Sequence, residues 1–480
     1  MSKQKNQNRK LEKEARQLQK MERELARPRG KGYLWYTIFV VTIIYLADEI
    51  ASQINNQMNS VVAQEVFAPV FGAEVALARM GLVGLTGALG SILAILYKPL
   101  SDRYGRKLFL LLNTLGMGVG MVVIAVGCNI PAWMVGCFII QFFIPHDIQQ
   151  LYLFETVPAE KRGTYYSVIK GITTLGVLLV PVLRSVIMGN DLSRWNVVYL
   201  VLGIFALAVT AIAAFRIRET VPFLTRRIEY LKQPEELRAA AKEDKTAANA
   251  DGGLGAAIRF SFRNKQIRSL MIAAGFITWG MMMTNNYEAV MSQGYMTQFL
   301  NQGMDIANAR TAAVPLVTDG LLLFPVGMAI LMTLQGIIAD QFGRKSTVLI
   351  MGVSCIAFYL MFYFGSVNHW NPYVVGLFCG ASIGGYWGCA DTVNLYMVTE
   401  STPTNMRASV LSVTPIVCAV MTIVVGLVSA AVINVFGDQL IGPVNLCMVV
   451  PGMAFAIILI MTKVNETKGV DLTKVTGLEE

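Results

Sequence analysis

Twelve apolar runs of roughly 20 residues recur along this chain, each long enough to cross the hydrocarbon core of a bilayer as a helix. They fall at 34–60, 76–96, 108–127, 132–154, 165–187 and 197–215, and then, after a polar gap, at 267–290, 312–335, 346–366, 372–398, 409–435 and 443–462. Lipid offers no partner to a backbone N–H or C=O, so a chain that passes through it repeatedly must be helical or a closed barrel, and runs this long select helices. Composition agrees: 15% of the residues are charged, against about 25% in soluble domains, and the mean hydropathy is +0.52. The expected fold is an all-α membrane protein of twelve transmembrane helices arranged as two six-helix bundles. The implied segments are a basic N-terminal stretch 1–32, a bundle 33–215, a linker 216–266, a second bundle 267–462 and a tail 463–480.

Basic residues orient the spans, because Lys and Arg near span ends stay on the cytoplasmic side. An even number of crossings puts both termini on one face. All but five of the 40 Lys and Arg (the exceptions are Arg79, Lys170, Arg184, Arg194 and Arg310) fall in segments on that face. Both termini are therefore expected in the cytoplasm, and the compartment expected is the plasma membrane, the inner membrane if bacterial. The net charge of +9 follows from this retention and calls for no nucleic acid. The alternating charges of KLEKEARQLQKMERELARPRGKG read as a short helix against anionic headgroups. A charged 32-residue leader before a long, polar-speckled helix does not have the form of a cleavable signal. The seven Cys lie in or beside apolar runs, without metal-ligand or disulfide spacing, and read as small buried side chains. No metal and no cofactor is expected.

Three short segments occur twice. LSDRYGRK, with Asp102, is echoed by IADQFGRK, with Asp340; ETVPAEKRG, from Glu155, by ESTPTNMRA, from Glu400; and RETVPF, with Glu219, more faintly by NETKGV, with Glu466. Each pair lies at the same end of corresponding spans, so the two halves follow one plan. Such halves suit alternating access, in which two bundles rock about a site near the bilayer midplane.

On these motifs the chain resembles the major facilitator superfamily of secondary transporters over residues 33–470. Gly336, Asp340, Gly343, Arg344 and Lys345 match the family signature G-x-x-x-D-x-x-G-R-K/R. The first copy has Asp102, Arg103, Gly105, Arg106 and Lys107, with Lys98 where the family has Gly. The resemblance implies a cytoplasmic gate that includes Asp102, Arg106, Glu155, Arg162, Asp340, Arg344, Glu400 and Arg407, with the cations expected to pair with carboxylates of the neighbouring bundle. NETKGVDL is similar to the P-E-T-K-G ending of sugar porters. LYLFETVPAEKRG and MVTESTPTNMRA are similar to loops of sugar porters and of organic-ion and aromatic-acid symporters. KGITTLGVLLVPVLRS lacks the spacing of the drug antiporter signature, which favours uptake over export.

Ionisable side chains deep in a span cost about 2.5–3.5 kcal/mol on insertion scales and are functional candidates. Asp48 and Glu49 lie about 14 residues into the first run, roughly 21 Å along a helix. Asp147, beside His146, and Asp391 are similarly deep in the fourth and tenth. Lys170, Arg184, Glu288 and Asp319 lie nearer span ends, where snorkelling is an option; turned inward, Lys170 or Arg184 would anchor a carboxylate. Around the deep set gather Gln53 and Asn56 on the first run, Gln149 and Gln150 on the fourth, Trp279, Asn285, Asn286 and Tyr287 on the seventh, and Trp387 and Asn394 on the tenth. In the family those four helices line the central cavity, so these residues are the expected solute contacts. Aromatic groups beside amides suit a sugar-like solute.

A carboxylate in a low-dielectric cavity binds a proton more readily than in water. Proton-coupled sugar porters carry G-Y-D in the first helix, to which Tyr45-Leu46-Ala47-Asp48 is loosely similar, and an Arg in the fourth, which this chain lacks. His146 is the available substitute. The proton-coupling candidates are thus Asp48, Glu49, His146 and Asp147, with Asp48 foremost. The function expected is proton-coupled symport of a sugar or organic acid, by a monomer whose partners are the solute, protons and membrane lipids. Proton antiport of an amphipathic solute is the alternative, and a transporter-like sensor a weaker one because no sizeable soluble domain is present. An enzyme is disfavoured: with only His146 and His369, and neither H-E-x-x-H nor G-x-S-x-G, no hydrolytic site assembles.

Overall fold

The computed structural model describes residues 2–97, 100–144, 147–157, 162–189, 191–234, 254–402 and 407–468. Helices cross in the order the apolar runs dictate. In the first half they are Lys31–Gln57, Ala76–Tyr97, Arg106–Gly127, the pair Ile130–Phe143 and Asp147–Thr156, a fifth span in three pieces, and Trp195–Arg216. The pieces of the fifth are Arg162–Gly176, Leu179–Leu183 and a π-helical turn, Arg184–Met188. In the second half the seventh span is Lys265–Ile277 and Met281–Leu300, joined by a 3-10 turn at Thr278–Gly280. Ile306–Phe342, Arg344–Val367, Pro372–Asp391, Arg407–Phe436 and Ile441–Lys463 complete it. The tenth span runs on through a π turn, Thr392–Met397, into Val398–Glu400.

The fourth span is the departure from the sequence expectation. Its apolar run 132–154 reads as one helix, but the structure has two, and only Ile130–Phe143 is strongly apolar. The intervening Ile144-Pro145-His146 contains a proline, which has no N–H to continue a helix and clashes with the preceding turn. Interruptions fall on the fourth, fifth, seventh and tenth spans, whereas the third, sixth, ninth and twelfth are continuous. In transporters such breaks free backbone groups near a solute site.

Side-chain caps start several spans. The Asn129, Asn264, Asp305 and Asn371 side chains each accept a backbone N–H of the first turn they precede, satisfying donors that a helix leaves unpaired. Lipid-facing positions carry large apolar groups such as Val126, Val186, Phe215 and Val435, all exposed, as expected where hydrocarbon replaces water.

With twelve spans, the start of the first at Lys31 and the end of the twelfth at Lys463 fall on one face, called here the terminal face; the opposite is the distal face. Within the first half the third span packs on the fourth and sixth; within the second, the tenth packs on the eighth and ninth. Between halves the second span meets the eleventh, the fifth meets the eighth and the first meets the seventh. The apolar core around the distal ends of the first half takes in Ala289, Val314, Ile433 and Ile441 from the second. At the terminal face a helix Ser2–Ala26 packs on a linker helix Val221–Lys232, with Lys232 Nζ 2.8 Å from Glu22.

Candidate functional site

Three sets of polar side chains, one at each depth, stand out in a structure that is otherwise apolar. The first is duplicated at the terminal face and joins all three repeated sequence segments. Gly105 and Gly343 precede the third and ninth spans with φ of 115° and 95°, a region L-residues with a Cβ avoid. A Cβ on either would run into a carboxylate, Glu219 in the first half and Glu466 in the second. Those carboxylates cap the helices: Glu219 accepts from the Arg106 and Lys107 N–H at 3.0 and 3.2 Å, Glu466 from the Arg344 and Lys345 N–H at 2.8 and 3.0 Å. An anion at a helix N-terminus meets both orphan donors and the positive end of the dipole.

The arginine side chains then reach the middle motif. Arg106 Nε lies 3.5 Å from Glu155, and Arg344 grips Glu400 through Nη2 at 3.0 Å and Nε at 3.2 Å. Thr220 donates to Glu155, and Thr467 donates to Glu400 at 2.6 Å. Arg344 also meets Asp340, at 3.3 Å. Both arginines are thus paired inside their own half, where the sequence reading expects partners on the neighbouring bundle. The reason is reach: each Glu closes the fourth or tenth span directly beside the start of the third or ninth.

The two caps differ electrostatically. Burial pushes the Glu219 carboxyl above its ordinary range despite hydrogen bonds from Thr220, Lys107 and Arg106, and the nearby Glu24 carboxylate pushes the same way. For Glu466 burial also raises, but N–H donors of Lys345, Lys468, Arg344 and Thr467 outweigh it and hold the carboxyl below the carboxylate range.

The second set lies within the first span, on its adjacent carboxylates Asp48 and Glu49. Asp48 is fully buried and accepts from the Gln149 amide of the fourth span; its other oxygen has no hydrogen-bond partner. No cation among the described residues touches it. Glu49 points about 100° away on the helix and pairs with Lys170 of the fifth span at 2.9 Å. Lys170 also donates to the Tyr45 hydroxyl at 3.0 Å and lies over that ring. One carboxylate is therefore held by an amide and its neighbour by an ammonium.

The third set closes the distal side between the halves. Arg184 and Glu288, both with fully buried side chains, pair at 2.9 Å. Arg184 donates as well to the Gln57 carbonyl, and Glu288 accepts from Ser60 N–H and hydroxyl at 2.7 and 2.5 Å. Asp438 accepts from the Leu77 and Ala78 N–H at 2.8 and 3.0 Å, capping the second span from the other half, and pairs with Arg310 at 3.4 Å. Asn59 donates to the Asn285 carbonyl at 2.6 Å. Lys170, Arg184 and Glu288, which the sequence places near span ends with snorkelling as an option, instead turn inward onto partners. Their turn-in is legible only once the packing is known.

A cavity of about 360 Å³ lies between the second and eleventh spans and reaches up to the distal set, with which it shares Asn59, Leu77, Ala78 and Asn285. Its polar lining is the amides Asn55, Asn56, Asn59, Gln141, Asn285 and Asn286 and the hydroxyls Ser91, Thr422 and Ser429, beside Trp133. Of the expected solute contacts, Asn56, Asn285 and Asn286 meet here. Gln53 and Tyr287 face each other across the halves at 3.5 Å, and Gln149 is occupied with Asp48. Trp279, Trp387, Asp391 and Asn394 are not part of this lining. Trp279 packs on Phe276, which packs in turn on Phe455, and Trp387 stands 5.1 Å from Tyr386. His146 lies outside the described residues, as do the side chains of Asp102, Asp147, Gln150, Arg162 and Arg407. Asn55, Asn59 and Gln141, polar positions of the first and fourth runs that are not among the expected solute contacts, also line the cavity.

The sequence profile of the Major Facilitator Superfamily matches residues 32–426. No curated protein sequence matches the chain significantly. Among solved structures the chain is similar to the inward-open xylose transporter XylE from E. coli, at 17% identity, covering 92% of this chain and 99% of that one, with a TM-score of 0.63. It is similar also to a D-xylose-proton symporter (16% identity, 91% and 99% covered, TM-score 0.61). A third is the nucleoside transporter NupG (12% identity, 88% and 99% covered, TM-score 0.59). At such identities the likeness speaks for the fold, twelve helices in two halves, while the profile covers most of the sequence. The chain belongs to the Major Facilitator Superfamily, as a multi-pass membrane transporter.

Proposed function

We propose that this transporter moves a small neutral polar solute, of sugar type, into the cell by alternating access, coupled to protons through Asp48. The observation that carries the coupling is the contrast between neighbours: Glu49 has its counter-cation in Lys170, whereas Asp48 accepts from the Gln149 amide and meets no cation among the described residues. An ionised carboxylate without a cation in a dry site is expensive, and taking up a proton removes the expense. An amide can hold either form, since it donates to a carboxylate and accepts from a carboxylic acid.

The solute class rests on the cavity. Among the described residues its lining has several amides and hydroxyls and no charged side chain, which suits hydroxyl groups better than a carboxylate. The D-xylose-proton symporter of the same fold handles a solute of that kind. With the basic face in the cytoplasm, the layer of Arg184, Glu288, Arg310 and Asp438 is the external gate, and the duplicated carboxylate and arginine sets stand at the cytoplasmic one. The direct test is accumulation in proteoliposomes under an imposed pH gradient, with labelled pentoses, hexoses and monocarboxylates. Gradient-driven accumulation of a neutral sugar that collapses with a protonophore is the expected result. Accumulation of carboxylates alone, or expulsion of amphipathic cations, would refute the reading.

A further inference from the structure

We propose a phosphate-binding pocket at the terminal face that clasps the headgroup of an anionic phospholipid. The pocket, about 850 Å³, lies between the N-terminal helix Ser2–Ala26 and the ends of the first, third and sixth spans. Arg16, Lys20, Arg23, Arg27 and Arg216, all exposed, line it, and none of these five has a hydrogen bond or ion pair among the described residues. Unlike them, Lys107 and Arg218 at the back are engaged, with the Ala214 and Pro28 carbonyls at 3.2 Å each. The single carboxylate there, Glu24, is turned to the Glu219 N–H at 2.9 Å. So many cations converge only at a cost in mutual repulsion, which an anion offsets.

A lipid fits better than a soluble anion. The pocket opens where a sixth span ends in the lipid: Phe215 is 88% exposed, and Tyr33 and Tyr36 of the first span form its floor. A phosphate held by the arginines would therefore leave its acyl chains along an apolar, membrane-facing wall. Arginine suits the phosphate because its donors form a planar fork. This site is separate from the solute cavity and does not depend on what is transported.

The test is calorimetric titration of the full chain in neutral detergent with short-chain phosphatidylglycerol, short-chain phosphatidylcholine and inorganic phosphate. Saturable binding of phosphatidylglycerol, about tenfold or more tighter than phosphatidylcholine and weakened by salt, is expected. The charge reversal R23E/R27E should abolish that preference, while R23K/R27K retains most of it and K463E, outside the pocket, leaves it intact. Unfolding temperatures of the variants establish that they remain folded. Equal binding of both lipids, or indifference to R23E/R27E in a folded protein, overturns the site. Binding of inorganic phosphate without phosphatidylglycerol overturns the assignment to lipid.

Discussion

The two adjacent carboxylates of the first span carry different burdens because a helix aims them at different neighbours. Glu49 is buried opposite Lys170, and removing one partner of such a pair leaves a desolvated charge. Lys170→Met is therefore expected to cost about 3 kcal/mol of stability, the low end for buried pairs because Lys170 keeps 23% of its side chain exposed. The double variant K170M/E49Q should recover most of the loss, as read from thermal unfolding of the purified protein; an additive double variant would mean the pair has no coupling. The two capping carboxylates make a second contrast. Glu466 has a depressed folded pKa, so its stabilisation is full above the ordinary carboxyl range and is lost as pH falls through the folded value. Glu219 has a raised one, so the penalty on its ionised form is relieved as pH falls. At neutral pH E466Q should lower the unfolding temperature more than E219Q does, and the gap should narrow on acidification. The reverse order would show that the local hydrogen bonds are not what separates them.

Helix contacts here are decided by small residues as much as by apolar ones. Gly376 and Gly380 on the tenth span let its backbone approach the eighth, where a Cβ would strike the Gly320 and Phe324 backbone; this is the small-xxx-small pattern that membrane helices use in place of a hydrophobic driving force. Gly380→Val should cost roughly 1–3 kcal/mol or more by overpacking. Gly171→Ala, at a helical position with nothing within 4 Å, should instead stabilise slightly, by up to about 1 kcal/mol. Unfolding temperatures of the two variants would separate, and equal effects would mean the close approach is not essential. Most elements were legible from hydropathy because lipid punishes any other reading of a 20-residue apolar run. The break in the fourth span was not, because hydropathy counts side-chain polarity and is blind to the N–H that a proline lacks. The duplicated Glu155, Glu219, Glu400 and Glu466 were visible as repeats. That they converge on the same two helix starts required the fold, as did the meeting of Arg184 with Glu288 from the opposite half, since depth along a span does not name a partner.

At the scale of the whole molecule, two halves meet through a polar layer at the distal side, while the described Arg–Glu pairs of each terminal-side network lie within one half. Asp438 holds the second span and Arg310 together, so Asp438→Asn should loosen the distal closure. Spin labels at Val70 and Phe436, both exposed near that face, would report it as a longer and broader distance distribution; an unchanged distribution would remove Asp438 from the gate. Alternating access requires this layer to part while the solute cavity stays between the halves, and proton coupling requires one group whose charge follows that movement. The proposal assigns that group to Asp48. It is tested most directly in proteoliposomes bearing Asp48→Asn, with the sugar that the wild-type protein accumulates. Accumulation driven by a pH gradient should be lost while exchange of labelled for unlabelled sugar, which needs no net proton movement, persists. Accumulation at the wild-type level by D48N would mean that the proton travels elsewhere.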